Sequence, residues 1–382
     1  MELNGFKKED INEFLHGIFH SNVHQKRLDS LAGATLGCIK AASLAIQAIG
    51  HSLALAQGLN TKHAIKQVDR LISNSGIEVE KYFSFWVPYM IGNRKEIVTS
   101  LDWTDFGKDE HSTLSLQLQT THGRSLPLMW QTVNLMEGRK RKREYEKEFL
   151  GLFKSILPEN VKITIVADRG FCDTNLFADL EKLKLDYVIR IFENIFIEST
   201  DGIRKKAREF VPLNGVSKVI GDGKITAKAY PMKTVVCVKE KAMKQSWCIV
   251  SNKKMNAGMI KKYYGKRWGV ESTFRDIKDI RFGMGLNSLH IKRCDRRDRL
   301  LLINALALVL LTLLGAAGES LGYDRMLKSN TVKRRTHSLF RQGCMLYGWF
   351  ESKKTELVLP LIHKFNDLIR QQPSYEQIFF VV

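Results

Sequence analysis

The spacing of apolar residues divides the chain into a helical beginning, a middle that mixes strands and helices, and a helical end. Residues 10–60 repeat apolar and small residues at helical intervals, which predicts several helices. The stretch LNTKHAIKQVDRLISNSG then predicts a short amphipathic helix. Asn60 or Thr61 can cap its start, and the NSG at 74–76 ends it.

Basic residues gather on one side of this predicted helix, opposite its apolar stripe. They include Lys62, Lys66 and Arg70. A short helix with one basic face fits an element that docks on DNA. It fits a solvated surface helix equally well, so both interpretations stay open.

From residue 95 the apolar period changes to two, which predicts strands. Three predicted strands lie close together along the chain, in EIVTSLDW, LSLQLQT and HGRSLPLMWQTV, and this spacing predicts a hairpin meander. The pattern then predicts a helix over GRKRKREYEKEFLGLFKSILP and a strand over VKITIVAD. A helix over NLFADLEKLKL and a strand over DYVIRI are predicted next. Short apolar runs separated by Gly- and Lys-rich turns at about 190–252 predict an all-β insertion.

The last part of the chain is predicted to be helical, beginning with one long helix over MIKKYYGKRWGVESTFRDIKD. LLLINALALVLLTLLGAAG at 300–318 is apolar enough to be considered as a membrane span. Nothing else in the chain resembles a membrane protein. We therefore favour a helix that its neighbours surround on all sides, with a membrane span as the alternative.

Composition points to a globular protein with an anionic partner. The 382 residues are 44% hydrophobic and carry a net charge of +20, which favours nucleic acid over an acidic membrane surface. Six scattered cysteines without CxxC spacing argue against a zinc site or a disulfide framework. The N-terminus lacks the pattern of a signal peptide. The chain contains no GxxxxGK[ST] loop, so a bound nucleotide is not predicted.

One glutamate stands on the basic side of the predicted helix over 263–279. At about 100° per residue, this side carries the spacing Y-x2-R-x3-E-x6-K, formed by Tyr264, Arg267, Glu271 and Lys278. The apolar residues of the helix lie on another side and are expected to pack into the core. A helical glutamate among basic residues is usually a surface ion pair, so the spacing alone does not prove a site.

Two aspartates lie in matching positions on predicted strands. Asp102 ends the strand EIVTSLD and Asp168 ends the strand ITIVAD. Together with Glu271 they can converge at one edge of a mixed sheet, where a divalent cation would offset their mutual repulsion. Each Asp alone is more often a turn residue. Asp105 is a rival to Asp102, which we prefer because it directly follows the apolar run.

With these motifs, the chain resembles bacterial insertion-sequence transposases of the DDE type. The resemblance is to the fourth insertion-sequence family, which carries the YREK signature, and within it to the transposon-ten branch. It rests on TKHAIKQVDRLIS, SLDWTDF, HGRSLPL, VADRGF, YYGKRWGVESTFRDIKD, GMGL and SNTVKRRT, and it covers nearly the whole chain.

The resemblance implies an α/β fold. The catalytic core would be an RNase H-like mixed sheet at 93–300, with an inserted β-rich subdomain at about 190–252. A helical DNA-binding region at 1–92 would precede the core, and a helical region at 301–382 would follow it. Asp102, Asp168 and Glu271 would be the catalytic triad and hold two Mg²⁺ or Mn²⁺ ions. Tyr264, Arg267 and Lys278 would bind phosphates near the cleaved end.

The implied activity is cut-and-paste transposition of an insertion sequence through a DNA hairpin, with double-stranded DNA as partner and a homodimer in the synaptic complex. Trp247 matches a tryptophan that stacks a flipped base, although a Trp that opens a strand is as often a core residue. Neither a membrane nor a nucleotide is implied, and the expected location is the bacterial cytoplasm, at the nucleoid. The alternatives are an RNase H-like nuclease without strand transfer and a catalytically inactive DNA-binding derivative.

Overall fold

The structure, a computed structural model, describes residues 7–19, 23–281 and 283–370. Within these residues, five helices precede the sheet: α1 (Lys8–Phe19), α2 (Gln25–Ala41), α3 (Ile46–Gln57), α4 (Thr61–Ser73) and α5 (Val79–Ile91). The amphipathic helix predicted after residue 60 is α4, and the Asn60 side chain caps it by accepting a hydrogen bond from the His63 N–H at 3.3 Å. Its apolar side is buried, whereas Lys62, Lys66 and Arg70 are exposed.

The middle of the chain alternates strands and helices as predicted. Its first part contains β1 (Glu96–Phe106), β2 (His111–Gln119), β3 (Ser125–Asn134), α6 (Leu135–Lys140), α7 (Lys142–Ile156), β4 (Lys162–Ala167), α8 (Thr174–Lys182) and β5 (Asp186–Arg190). The inserted part contains β6 (Phe196–Glu198), β7 (Arg204–Lys206), β8 (Lys218–Ile225), β9 (Tyr230–Val238) and β10 (Trp247–Ser251).

All ten strands form one sheet in the order β3-β2-β1-β4-β5-β10-β9-β8-β6-β7. The central strands β1, β4 and β5 are parallel, and the other pairs are antiparallel. The insertion therefore extends the central sheet through β10, which pairs with both β5 and β9. A mixed sheet of this order with helices on its faces is the α/β, RNase H-like core that was predicted.

The remaining helices are α9 (Ala257–Lys266), α10 (Trp268–Lys278), α11 (Cys294–Ser320), α12 (Leu339–Tyr347), α13 (Trp349–Ser352) and α14 (Thr355–Arg370). The prediction of one long helix over residues 259–279 is wrong, because the helix breaks at Arg267. There the backbone hydrogen bonds shorten to three-residue spacing, from the Arg267 N–H to the Tyr264 carbonyl and from the Val270 N–H to the Arg267 carbonyl. The predicted helix over residues 138–158 is also divided, at Arg141, into α6 and α7. The hydrogen bonds there keep four-residue spacing, from the Arg141 N–H to the Glu137 carbonyl and from the Tyr145 N–H to the Arg141 carbonyl.

Helix α11 contains the apolar stretch at 300–318. It is long and apolar enough to cross a membrane, and 94% of its most apolar window is buried inside the protein. The bent pair α2–α3 passes the same test of length and composition only if it is counted as one span. The prediction that neighbours surround the 300–318 helix is confirmed by its packing against α2, β3, α12 and α14.

Candidate active site

The side chains of the candidate site lie on the face of the sheet that α9 covers. Val98 of β1 and Val166 of β4 pack in one cluster with Tyr264 of α9. Because side chains alternate along a strand, Asp102 and Asp168 lie on the same face as these valines. The two acids therefore share a face with the helix pair that carries the predicted glutamate.

Both aspartates lie immediately beyond the ladder that joins β1 and β4. The last parallel pair is Leu101 with Ala167, and Asp102 and Asp168 are the next residues. The prediction that Asp102 ends its strand is wrong, since β1 continues to Phe106 by pairing with β2 alone. The two acid backbones are separated by the spacing of adjacent strands, about 4.8 Å, because the ladder ends at the same level on both.

Asp168 also serves the local backbone. Its Oδ1 accepts a hydrogen bond from the Gly170 N–H at 2.8 Å and caps a short 3-10 turn at Arg169–Phe171. A Cβ on Gly170 would lie 3.0 Å from that oxygen, so glycine permits the close approach. Asp168 is thus a turn residue, as the alternative interpretation of the sequence had it. The turn holds its carboxylate at the edge of the sheet.

Arg267 lies between Asp102 and Glu271. Its Nη2 donates to the Glu271 Oε1 at 2.8 Å, and its Nη1 is 4.0 Å from the Asp102 Oδ2. The side chain is only 7% exposed. Arg267 was expected on the basic side of the helix, away from the core. That placement is wrong for this structure, because the guanidinium is buried between the two carboxylates.

Electrostatic coupling joins the three acids. Burial raises the pKa of Asp102 to about 7, the Arg267 guanidinium opposes this rise, and the charges of Asp168 and Glu271 add to it. Near neutral pH, Asp102 is thus poised between its neutral and charged forms. A buried carboxyl beside two like charges is a place where added positive charge is strongly favourable.

The four residues of the Y-R-E-K spacing are divided between the core and the surface. Tyr264 is 2% exposed, so its expected position on the basic side of the helix, away from the core, is wrong. Its ring meets the Trp247 ring edge-on at 4.9 Å between centroids. Trp247 begins β10, as predicted, and is half-buried in the same cluster.

Lys278, the last residue of α10, lies at the mouth of the site and contacts β1, the strand that carries Asp102. Its Nζ donates to the Thr104 Oγ1 at 2.5 Å and the Asp105 carbonyl at 3.1 Å, and it lies 4.3 Å from the centre of the Phe106 ring. Burial lowers the pKa of Lys278 to about 8. Sequence reasoning missed Thr104, although a residue two positions after Asp102 on a strand must share its face.

Asp105 is oriented away from this group. Its carboxylate accepts a hydrogen bond from the Ser112 Oγ at 2.6 Å and lies 3.6 Å from the Arg139 guanidinium. Asp105 is three positions after Asp102 on β1, so the two side chains lie on opposite faces of the strand. The structure brings Asp102, and not Asp105, to the face of Glu271.

An open cleft of about 410 Å³ lies over this part of the face. Its lining combines the predicted residues with side chains that sequence reasoning missed. The lining residues are Asp102, Thr104, Glu271, Phe274, Arg275, Lys278, Asp279 and Asn287. The basic residues of α4 are not among them, so Lys62, Lys66 and Arg70 lie outside the cleft.

The donor atoms suit a hard divalent cation, since three carboxylates from β1, the end of β4 and α10 are coupled on one face. In the part of the chain that the structure describes, no three acids, histidines or cysteines are yet arranged to hold a metal ion. Glu271 is bound to Arg267 instead. Joint coordination would therefore require Glu271 to leave this ion pair.

Comparison with known proteins gives one family. The sequence pattern of the transposase DDE domain matches residues 94–310, from the start of the sheet to the middle of α11. No curated protein matches the chain. The match covers more than half of the sequence and includes all three acids at the edge of the sheet, and the chain therefore belongs to the family of DNA-acting transposases with a DDE domain.

Proposed function

We propose that this transposase cuts and pastes an insertion sequence and belongs to the YREK branch of the fourth insertion-sequence family, near transposon ten. The spacing of Tyr264, Arg267, Glu271 and Lys278 supports this branch. So does their arrangement on consecutive helices above the sheet edge. The location would be the bacterial nucleoid.

In this proposal Asp102, Asp168 and Glu271 hold two Mg²⁺ or Mn²⁺ ions. The single observation that carries it is the position of both aspartates directly beyond the β1–β4 ladder, on the face that Glu271 covers. When bound, two such ions activate a water and stabilise the leaving oxygen of a phosphodiester. Asp105 is not proposed as a ligand, because its carboxylate lies on the other face of β1.

The other residues of the site would bind DNA. Once Glu271 leaves Arg267, the guanidinium is free to bind a phosphate, and Lys278 adds a second positive charge at the mouth of the cleft. The Tyr264 ring lies next to Arg267, with the guanidinium 5.7 Å from the ring centre, and would hold this side chain in position. We further propose that Lys62, Lys66 and Arg70 on α4 contact a more distant part of the element end.

The proposed reaction begins when water cuts one strand at each element end. The freed 3′-hydroxyl attacks the opposite strand and makes a hairpin, a second water opens the hairpin, and the 3′-ends join target DNA. Two subunits would pair the two ends. We propose region 1–92 for end binding and 93–300 for catalysis, followed by a helical region from 301; α11 crosses that last boundary.

The test compares single alanine variants on the element ends with Mg²⁺. Asp102→Ala, Asp168→Ala and Glu271→Ala should each abolish nicking and hairpin formation on a denaturing gel while leaving end binding largely intact. Asp105→Ala, the matched control from the same strand, should cut. If Asp105→Ala fails and Asp102→Ala cuts, the assignment of the first acid is wrong.

A strand-transfer assay separates this proposal from the second candidate, a nuclease of the same fold. Joint molecules between element ends and a plasmid target would support a transposase that completes its reaction. Cutting without joining would support the nuclease. A derivative that only binds DNA would do neither, and the presence of all three acids argues against it.

A further inference from the structure

Helix α10 has one side toward the cleft and a second, polar side away from it. Glu271 and Lys278 line the cleft. At about 100° per residue, Gly269, Thr273 and Asp276 lie within about 60° of one another, on the side of the helix opposite Glu271. Whatever binds this second side therefore fixes the direction in which Glu271 points.

The second side of α10 packs on the start of β3, at the tip of the β2–β3 hairpin. The Ser125 N–H donates to the Thr273 Oγ1 at 3.0 Å, and the Thr273 hydroxyl can donate to the Ser125 carbonyl at 2.8 Å. A Cβ on Gly269 would lie 2.8 Å from the Ser125 Oγ, so glycine permits the close approach. One residue of the hairpin thus contacts two successive turns of α10.

An ion pair between Arg124 and Asp276 adds a third contact. The Arg124 Nε donates to the Asp276 Oδ2 at 2.5 Å, and its Nη2 donates to the Oδ1 at 3.4 Å. Burial raises the pKa of Asp276, and the Arg124 guanidinium opposes this rise. A planar guanidinium that binds both oxygens of a carboxylate fixes the direction of the side chain as well as its distance.

The tip of the hairpin is held by its own hydrogen bonds. The Thr120 hydroxyl donates to the Arg124 carbonyl, and the Arg124 Nη1 donates to the Gly123 carbonyl at 3.1 Å. Gly123 supplies the positive φ of 85° that this turn requires. Strand β3 in turn packs on α11. The tip is therefore a fixed point against which α10 can be oriented.

A small rotation of α10 about its axis would have a large effect at the Glu271 carboxylate. The ends of side chains lie about 5–6 Å from a helix axis, so a rotation of about 20° moves them by about 2 Å. A working site tolerates displacements of only about 0.5 Å. The contacts of Thr273 and Asp276 with the hairpin oppose this rotation.

We propose that Arg124 is a positioning residue for Glu271, which acts through Asp276 by fixing the rotation of α10. The inference rests on the proposed function, because only there does Glu271 hold a metal ion. It also links two sequence motifs, since Arg124 of HGRSLPL and Asp276 beside the Y-R-E-K spacing are 152 positions apart along the chain.

The experiment measures binding of Mn²⁺ by electron paramagnetic resonance. The full chain is studied in complex with a duplex of the already cut element end, which lacks the flanking strand that the reaction would cut. Arg124→Met should weaken the affinity for Mn²⁺ by about tenfold or more, as expected when a group that orients a metal ligand is lost. Its affinity for the duplex should not change. Arg124→Lys keeps a charge near Asp276 and should retain part of the affinity for Mn²⁺.

A double variant separates positioning from simple support of the fold. Arg124→Met leaves a buried carboxylate without its partner, which by itself lowers stability. Arg124→Met combined with Asp276→Leu removes both charges and should regain stability in a thermal melt, but not the affinity for Mn²⁺. If that affinity returns with the stability, the ion pair only supports the fold and the inference is overturned. Thr273→Val, compared with Thr273→Ser, tests the other contact in the same way if the ion-pair variants do not fold.

Lys328→Met is the matched control. The Lys328 Nζ lies 3.0 Å from the Asp324 Oδ2, and these side chains are 11% and 20% exposed, against 21% and 9% for Arg124 and Asp276. The control pair lies after α11, outside the cleft. This variant should lower the thermal melt and leave the affinity for Mn²⁺ unchanged. An equal loss of that affinity in Lys328→Met and Arg124→Met would overturn the inference, because destabilisation alone would explain both.

Glu271→Ala separates the outcome from that of the proposed function. If Glu271→Ala weakens the affinity for Mn²⁺ and Arg124→Met does not, the positioning role alone is overturned. If Glu271→Ala leaves this affinity unchanged, Glu271 is not a metal ligand, and the proposed ligand set falls together with the inference.

Discussion

At the scale of single residues, the candidate site is organised by Arg267. Its guanidinium lies between Asp102, which is largely buried, and Glu271, which is exposed, and its positive charge offsets both negative charges. A buried guanidinium is stable only when it is paired in this way. The phosphate-binding role proposed for Arg267 therefore includes an exchange of partners, which the sequence spacing did not reveal.

Lys278 gives a prediction about pH. Its lowered pKa, about 8, means that its charge is nearly complete at pH 7 and is lost as the pH rises through 8. If DNA binds the charged form of Lys278, binding above pH 8 requires this lysine to take up a proton. The affinity for the element end should therefore fall about tenfold between pH 7 and 9. Fluorescence anisotropy with a labelled element end, at constant salt, measures this change.

The control is Lys278→Arg, which keeps its charge at pH 9 and should flatten the profile. Lys278→Ala should bind more weakly at pH 7, with a salt slope lower by about one unit. A wild-type profile as flat as that of Lys278→Arg would mean that Lys278 contacts no phosphate.

The sequence predicted which three acids lie near one another at the sheet edge, but it did not predict the ion pair of Glu271 with Arg267. Asp102, Asp168 and Glu271 were singled out from apolar periodicity, which places a residue on a strand or on a helix face but does not determine where a strand ends. The burial of Tyr264 and Arg267 was missed because a helical projection assumes one straight helix, and this helix breaks at Arg267.

At the scale of elements, α11 and α12 pack backbone to backbone through glycine. A Cβ on Gly343 of α12 would lie 1.9 Å from the Leu311 carbonyl oxygen, and a Cβ on Gly315 of α11 would lie 1.9 Å from the Leu339 carbonyl oxygen. Backbone atoms cannot move aside as a flexible side chain can. Glycine is therefore required at both positions for the two helices to approach this closely.

Gly343→Ala should force these helices apart and destabilise the fold by about 1–3 kcal/mol or more. Gly151→Ala, in α7, is the control, since no atom lies within 4 Å of its added Cβ. That change should be neutral or stabilise by about 0.4–1 kcal/mol through the unfolded chain. Denaturant unfolding measures both variants, and equal stabilities would contradict the close packing.

The elements also differ in how far local sequence determines them. Helix α4 begins and ends where Asn60 and the NSG predicted, because capping is a local interaction. The end of β1 was placed too early at Asp102, because its continuation to Phe106 depends on pairing with β2. Partners distant in sequence determined this boundary, so apolar periodicity could not give it.

At the scale of the whole molecule, the proposed reaction requires two chains for two element ends. Light scattering of the protein with short element ends in Ca²⁺ should give a complex of two chains and two duplexes. Asp168→Ala should form the same complex, because the loss of one carboxylate leaves the basic surfaces unchanged. One chain per duplex at saturation, from a preparation that joins both ends to a target in Mg²⁺, would contradict the proposed dimer.

The order of strands in the sheet has a consequence for the nascent chain during synthesis. β5 finds its partner β10 only after the whole insertion has been synthesised, and the helix that carries Glu271 follows β10. At about 5–20 residues per second, roughly 10 to 35 seconds separate the emergence of Asp102 from that of Lys278. Once Asp168 and β5 have emerged, the unfinished polypeptide on the ribosome has both aspartates and an open strand edge. Under the proposed function, it cannot cut DNA before Glu271 follows. The same edge is then the part of the chain that most needs protection from aggregation.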